Sequence, residues 1–169
     1  MSELVADASA LVSLGVVAEV DPDPLSLCLA RYEVVVPAAV MAELREVASY
    51  DDAHGRAATA ILEQTAALDR RSVDLDAEFP LDDGENAAVT LANELDAALL
   101  LCDEFNQLGL IHASLADTRL VTTPTLLSIL VRTERLSAAD ARTFLDEISD
   151  ARSWGANSYV QRARSLLEK

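Results

Sequence analysis

Leu4-Val-Ala-Asp7-Ala-Ser-Ala-Leu-Val-Ser13 decides the fold: a short apolar run ends on an acid, and a helical pattern starts at once. The same junction recurs along the chain. Ala97-Ala-Leu-Leu-Leu-Cys102 runs into Asp103, and Glu33-Val-Val-Val36 runs into a helix that opens at Pro37 and carries Glu43. A fourth acid, Glu85, stands just inside a helix start in Leu81-Asp-Asp-Gly-Glu-Asn-Ala-Ala88. Strand and helix patterns alternate, which predicts an α/β fold with a mainly parallel central sheet and helices on both faces. Carboxylates at the carboxyl ends of parallel strands converge in one crevice, where such sheets place their active sites. Like charges repel, so a cluster of them is best held by a hard cation. Mg²⁺ or Mn²⁺ suits an all-oxygen site and points to metal-assisted chemistry on phosphate esters.

Working outward, the pattern predicts strands at Glu3–Ala6, Glu33–Val36, Ser72–Leu75, Ala97–Cys102 and Leu120–Thr122. Helices are expected over Ser9–Val17, Leu25–Arg31, Pro37 to about Tyr50, Ala53–Asp69, Glu85–Glu94 and Glu104–Ser114. Three more follow, near Thr125–Thr133, Ala138–Ser149 and Asn157–Glu168. Pro37 suits the first helical position, where its missing N–H is not needed. No linker, repeat or low-complexity segment interrupts the 169 residues, so one domain is expected over 1–169, with a core of about 4–122 and closing helices over 123–168.

Apolar residues make up 51% of the chain, enough for a packed core rather than disorder. The longest apolar runs fall far short of the ~20 residues of a membrane span. No basic segment precedes an apolar one in the manner of a secretory leader, so a cytoplasmic protein is expected. Cys28 and Cys102 lie in apolar stretches without metal-ligand spacing and are read as buried, reduced thiols. Acids outnumber bases 29 to 13, the net charge is -16, and the one lysine is Lys169. Such a lysine-poor, acidic composition fits a halophilic protein, because ~1 M salt shortens the Debye length to ~3 Å and screens self-repulsion. The other reading is a chain that avoids nucleic acid.

Each acid has a plainer reading. Asp7 and Asp103 are placed to cap the helices that follow them. Asp82 and Glu85 have capping-box spacing. Glu43 borders the apolar stripe of Val40, Leu44 and Val47, and a carboxylate there is costly unless paired or metal-bound. Glu104 and Asn106 are further candidate ligands. The chain lacks the sets that other chemistries need. His54 falls in a polar turn and is expected to be exposed, and His112 to be a half-buried helix residue. Ser9 and Ser13 have no His-Asp partners or nucleophile elbow. No glycine-rich nucleotide loop occurs. A receiver domain needs a lysine after a late strand, and a D-x-D phosphatase needs a second acid where Ala8-Ser9 follows Asp7.

The arrangement resembles the PIN domain, a family of metal-dependent ribonucleases that includes VapC-type toxins. The resemblance is carried by Leu-Val-Ala-Asp7-Ala-Ser-Ala-Leu-Val-Ser13, Val-Pro-Ala-Ala-Val-Met-Ala-Glu43-Leu, Leu-Asp-Asp-Gly-Glu85-Asn-Ala-Ala-Val-Thr-Leu-Ala92 and Ala-Leu-Leu-Leu-Cys-Asp103-Glu104. It spans about Leu4 to Ile148. The Gly-Glu pair and the tail Thr-Thr-Pro-Thr-Leu-Leu-Ser-Ile-Leu-Val-Arg132 are similar to a PIN subgroup of nucleic-acid-binding proteins. The resemblance implies a three-layer α/β/α fold and Mg²⁺ or Mn²⁺ held by Asp7, Glu43, Glu85 and Asp103. It also implies single-stranded RNA as substrate, an antitoxin partner if the chain is a toxin, and a homodimer. Arg45 and Arg119 are candidate phosphate contacts. A catalytically idle PIN fold serving protein interaction is the alternative. Cys102 departs from the family's usual Thr or Ser before the last acid, and Cys is the weaker hydrogen-bond donor. Leu126, Leu127, Leu130, Leu136, Phe144, Leu145 and Ile148 either complete the chain's own core or, as the resemblance to dimeric PIN proteins implies, serve in part for association, with Trp154 and Tyr159 as aromatic anchors.

Overall fold

The structure, a computed structural model, describes residues 1–168. Strands β1 (Glu3–Ala6), β2 (Glu33–Pro37), β3 (Asp69–Arg71), β4 (Leu99–Leu101) and β5 (Arg119–Val121) form a parallel sheet in the order β3-β2-β1-β4-β5. The chain builds outward from β1 through β2 and β3, then crosses to the other side for β4 and β5. The strand order therefore reverses between β1 and β4. In register, Val5 faces Leu100 and Ala6 faces Leu101, and the Asp7 N–H donates to the Leu101 carbonyl at 2.9 Å. The two strand-end acids are thus brought together at the switch point where open α/β sheets bind ligands.

The helices in chain order are α1 (Ala8–Val16), α2 (Pro24–Arg31), α3 (Ala38–Ala48), α4 (Ala53–Leu62), α5 (Asp83–Leu95), α6 (Leu108–Ser114), α7 (Thr123–Arg132), α8 (Ala138–Arg152) and α9 (Ser158–Leu167). Strand side chains alternate between two cores, as a period of two requires. Leu4, Ala6, Val34, Val36, Leu99 and Leu101 join the larger core with residues of α1–α4 and α7–α9. Val5, Val35, Leu100 and Cys102 face the smaller core beneath α5 and α6. The result is the expected α/β/α arrangement. Two glycines permit close approaches that matter. A Cβ on Gly15 would overlap the Ala57 backbone, so α1 and α4 cross with their main chains in contact; the second, Gly84, lies in the site.

The differences from expectation are local. The third strand is Asp69–Arg71 instead of Ser72–Leu75, and α4 stops at Leu62, followed by a 3-10 turn at Thr65–Ala67. This strand lies at the sheet edge and pairs only with β2, so main-chain pairing rather than apolar alternation defines it. Pro37 ends β2 and occupies the N-cap of α3 rather than its first helical position. Residues 104–107 are not helical. The Phe105 N–H donates to the Asp103 carbonyl and the Gln107 N–H to the Glu104 carbonyl, making turns before α6. His54 is half-buried, with Nε2 3.2 Å from the Ala151 carbonyl oxygen, and His112 is exposed on α6. Cys28 and Cys102 are buried free thiols.

The apolar residues from which association was expected lie inside the chain's own larger core. Leu126, Leu127, Leu130, Leu136, Phe144, Leu145, Ile148 and Trp154 are all buried there, while Tyr159 remains exposed. They complete the protomer, and the apolar argument for a dimer falls with them. No described helix is long and apolar enough to cross a membrane.

Candidate active site

Asp7 and Asp103 are both buried where β1 and β4 end. Asp7 occupies the N-cap of α1 but makes no side-chain capping bond. Its Oδ2 accepts instead from the Ser9 hydroxyl at 2.8 Å, and the same hydroxyl accepts the Asp103 N–H at 2.9 Å. Ser9 therefore bridges the two strand ends. The Cys102 thiol is 3.6 Å from the same Asp7 oxygen. Burial raises the Asp7 pKa above the usual range, with the Ser9 hydroxyl opposing.

Asp103 does not cap the next helix. Its Oδ1 accepts the Thr123 N–H at 2.7 Å and its Oδ2 accepts the Thr123 hydroxyl at 2.6 Å. The carboxylate thus sits against the N-terminus of α7, where backbone donors and the helix dipole favour negative charge. Burial still raises its pKa, against these two bonds. The α7 cap itself is Thr122, whose side chain accepts the Thr125 N–H.

Glu43 and Glu85 come from two helices that pack on opposite faces of the sheet and touch each other past its edge. The Asp82 side chain accepts the Glu85 N–H at 2.9 Å, so half of the capping box forms and fixes the first turn of α5. Gly84 makes the approach possible, because a Cβ there would occupy the space of the Glu43 carboxylate. Burial raises Glu43 from 4.5 to about 7, helped by the charges of Asp7, Asp82, Glu85 and Glu104. Burial raises Glu85 from 4.5 to about 7 as well, with Asp82, Asp7 and Glu104 adding to it. Glu104 is raised by burial and by Asp7, while Arg152 pulls it down. The cluster that repels itself is therefore Asp7, Glu43, Asp82, Glu85 and Glu104. Asp103 is as buried as Asp7 and is turned toward Thr123, while its charge adds to the rise of Glu104. Asn106 is exposed.

The donor set is all carboxylate oxygen, which fits a hard divalent cation. Gly84 keeps open the space that the Glu43 carboxylate fills. Among the described residues, no three His, Cys, Asp or Glu side chains already stand in ligand geometry. Arg152, from the last turn of α8, supplies positive charge beside Asp103, Glu104 and Asp7. Burial lowers its pKa, and these acids oppose the shift. Its guanidinium lies 6.0 Å from the Trp154 ring centre.

The four acids read from sequence thus gather at the carboxyl end of the sheet, with Asp103 partly committed to Thr123. Sequence reasoning weighed Ser9 only as a nucleophile and Gly84 only as part of the Gly-Glu pair, and it gave no role to Thr123 or Arg152. Ser9 had a signal, its position two residues after Asp7. Arg152 had none, because it reaches the site from a helix about fifty positions beyond Asp103.

A family model described as a PIN domain matches residues 3–169, and the chain belongs to that family. It has the nuclease-type fold of PIN domains. No curated protein matches it.

Proposed function

We propose that the chain is a divalent-metal-dependent endoribonuclease that hydrolyses phosphodiesters of single-stranded RNA. The observation behind this reading is the convergence of Asp7, Glu43, Glu85 and Glu104 at the switch point of the sheet, where burial first and the neighbouring carboxylates second raise Glu43 and Glu85, an excess of acid that a hard cation relieves. Asp7, Glu43, Glu85 and Asp103 would hold Mg²⁺ or Mn²⁺, and Glu104, whose pKa burial and then the charge of Asp7 raise, is the further candidate ligand. Such an ion would polarise the phosphate and lower the pKa of water, supplying hydroxide as the nucleophile at neutral pH. Ser9 holds Asp7 in its orientation. Thr123 holds Asp103 with its backbone and hydroxyl. Arg152 places a positive charge where a phosphate approaching the acids needs one. No serine or histidine nucleophile is required.

Mn²⁺ should raise the melting temperature of the wild-type chain, because a ligand that binds only the folded state stabilises it. Asp7→Asn combined with Glu85→Gln should remove that rise. An equal rise in the double variant would overturn the metal assignment.

The idle interaction module is the second reading. It draws on the engagement of both Asp103 oxygens by Thr123 and on the lack of a ready ligand set among the described residues. A toxin role, an antitoxin partner and a homodimer rest on the family resemblance. Growth arrest on expression, relieved by a product of an adjacent gene, tests the toxin role.

A further inference from the structure

We infer that a groove between α7, α9 and the edge strand β5 is the track that holds the single-stranded RNA, leading to the acidic centre over the Phe105 and Tyr159 rings. This rests on the ribonuclease reading and names where the substrate lies. A cavity of about 320 Å³ is lined there by Arg119, Arg132, Arg162, Tyr159, Thr125 and Leu166, with no carboxylate among its lining residues. In a chain with 29 acids against 13 bases, three arginines around one cavity mark a local reversal of sign. None of the three forms an ion pair among the described residues, whereas Arg71 and Arg164 do. Arginine without a protein partner is available for phosphate.

Tyr159 also lines a neighbouring cavity of about 330 Å³ with His112 and Thr122, so it stands between the two hollows. It is 46% exposed, and its ring stacks on Phe105 with centres 5.4 Å apart and planes 11° from parallel. Phe105 is two residues from Asp103 and meets Trp154 edge-on at 5.0 Å. An arginine-lined groove that runs onto stacked aromatic rings is the surface a flexible strand uses, phosphates on the cations and bases on the rings. The cleft around Arg45, Arg70 and Arg71 is also lined by three arginines but is less suited, because Arg71 is tied to Asp69 and Glu33 and no aromatic ring lines it. Arg119 is thus placed on the track and Arg45 off it.

The test uses the full chain carrying Asp7→Asn, so that binding is read without cutting. Fluorescence anisotropy follows an oligouridylate of about ten nucleotides, within the ~4–16 that such grooves hold. Arg132→Gln with Arg162→Gln should weaken binding and reduce the salt slope by about 0.7 for each arginine removed. Arg31→Gln with Arg56→Gln removes the same charge elsewhere and should change little. Tyr159→Ala should weaken binding roughly fivefold or more, the lower end of base–aromatic stacking, and Tyr159→Phe should restore it. Photocrosslinking of a 5-iodouridine oligomer should mark Tyr159 in the Asp7→Asn chain. Equal affinity in the groove and control pairs overturns the track, as does crosslinking elsewhere. If the wild type still cuts RNA in that case, the ribonuclease reading stands without it. A change in the number of subunits per particle caused by the groove pair would make the surface a protein interface and overturn the track as well.

Discussion

The Glu43 carboxylate occupies the space that a side chain at Gly84 would fill, so these two residues join α3 and α5 at the acidic centre. Gly84→Ala should therefore push the carboxylate away while helping the helix. Alanine in the first turn of α5 favours helix by up to about 1 kcal/mol over glycine. Glu43 is flexible and half-exposed, so it can swing aside. The expected outcome is a melting temperature without metal that is unchanged or higher, with a smaller Mn²⁺-induced rise. A full Mn²⁺ response in Gly84→Ala would show that the position of Glu43 does not matter to metal binding.

Glu43 and Glu85 make folding depend on pH in a defined direction. Each is raised from 4.5 to about 7 in the folded chain, chiefly by burial and then by neighbouring acids. Each binds its proton more tightly folded than unfolded. The stabilisation is complete below the unfolded value and is lost as pH climbs through about 7. Thermal denaturation without metal, at constant high salt, should show a falling melting temperature between pH 5 and pH 7.5. Glu43→Gln with Glu85→Gln should flatten that fall. Mn²⁺ competes with these protons, so its stabilising effect should grow over the same range. A wild-type profile that rises over this range would contradict the assignment.

Asp103 depends on Thr123 for both of its oxygens. Thr123→Val removes the hydroxyl bond and leaves a buried carboxylate short of a donor. Hydrogen bonds to charged groups contribute about 1.5–3 kcal/mol, and urea denaturation should show a loss of that order. Thr123→Ser should recover most of it. A loss below about 0.5 kcal/mol, the usual scatter of surface substitutions, would mean that the bond contributes little.

How much of this was legible in the sequence follows from where each signal lies. Asp7 and Asp103 could be read because apolar strands precede them and a parallel sheet aligns its strand ends. Val34, Val35 and Val36 announced a buried strand. Asp69–Arg71 did not, since an edge strand made of charged residues carries no apolar pattern. The turns after Asp103 were missed because a carboxylate that looked like a local cap bonds Thr123, twenty residues on. The apolar residues of α7 and α8 were read as surplus because the sequence does not reveal that seven helices share one face of the sheet. Arg152 and the groove arginines become meaningful only once α8 and α9 have folded back.

The net charge of -16 predicts a stability that rises with salt. Screening at ~1 M KCl should raise the melting temperature above its low-salt value. Sodium chloride should act alike if screening is the cause. A flat or falling melting temperature over this range would remove the halophilic interpretation.

Cleavage of single-stranded RNA by the purified chain at high KCl tests the central claim most directly. With Mg²⁺ or Mn²⁺ the wild type should cut, EDTA should stop it, and Asp7→Asn should reduce the rate by orders of magnitude while leaving the fold intact. Cutting that survives Asp7→Asn, or no cutting of varied RNAs with either metal, would contradict the account and favour the idle module.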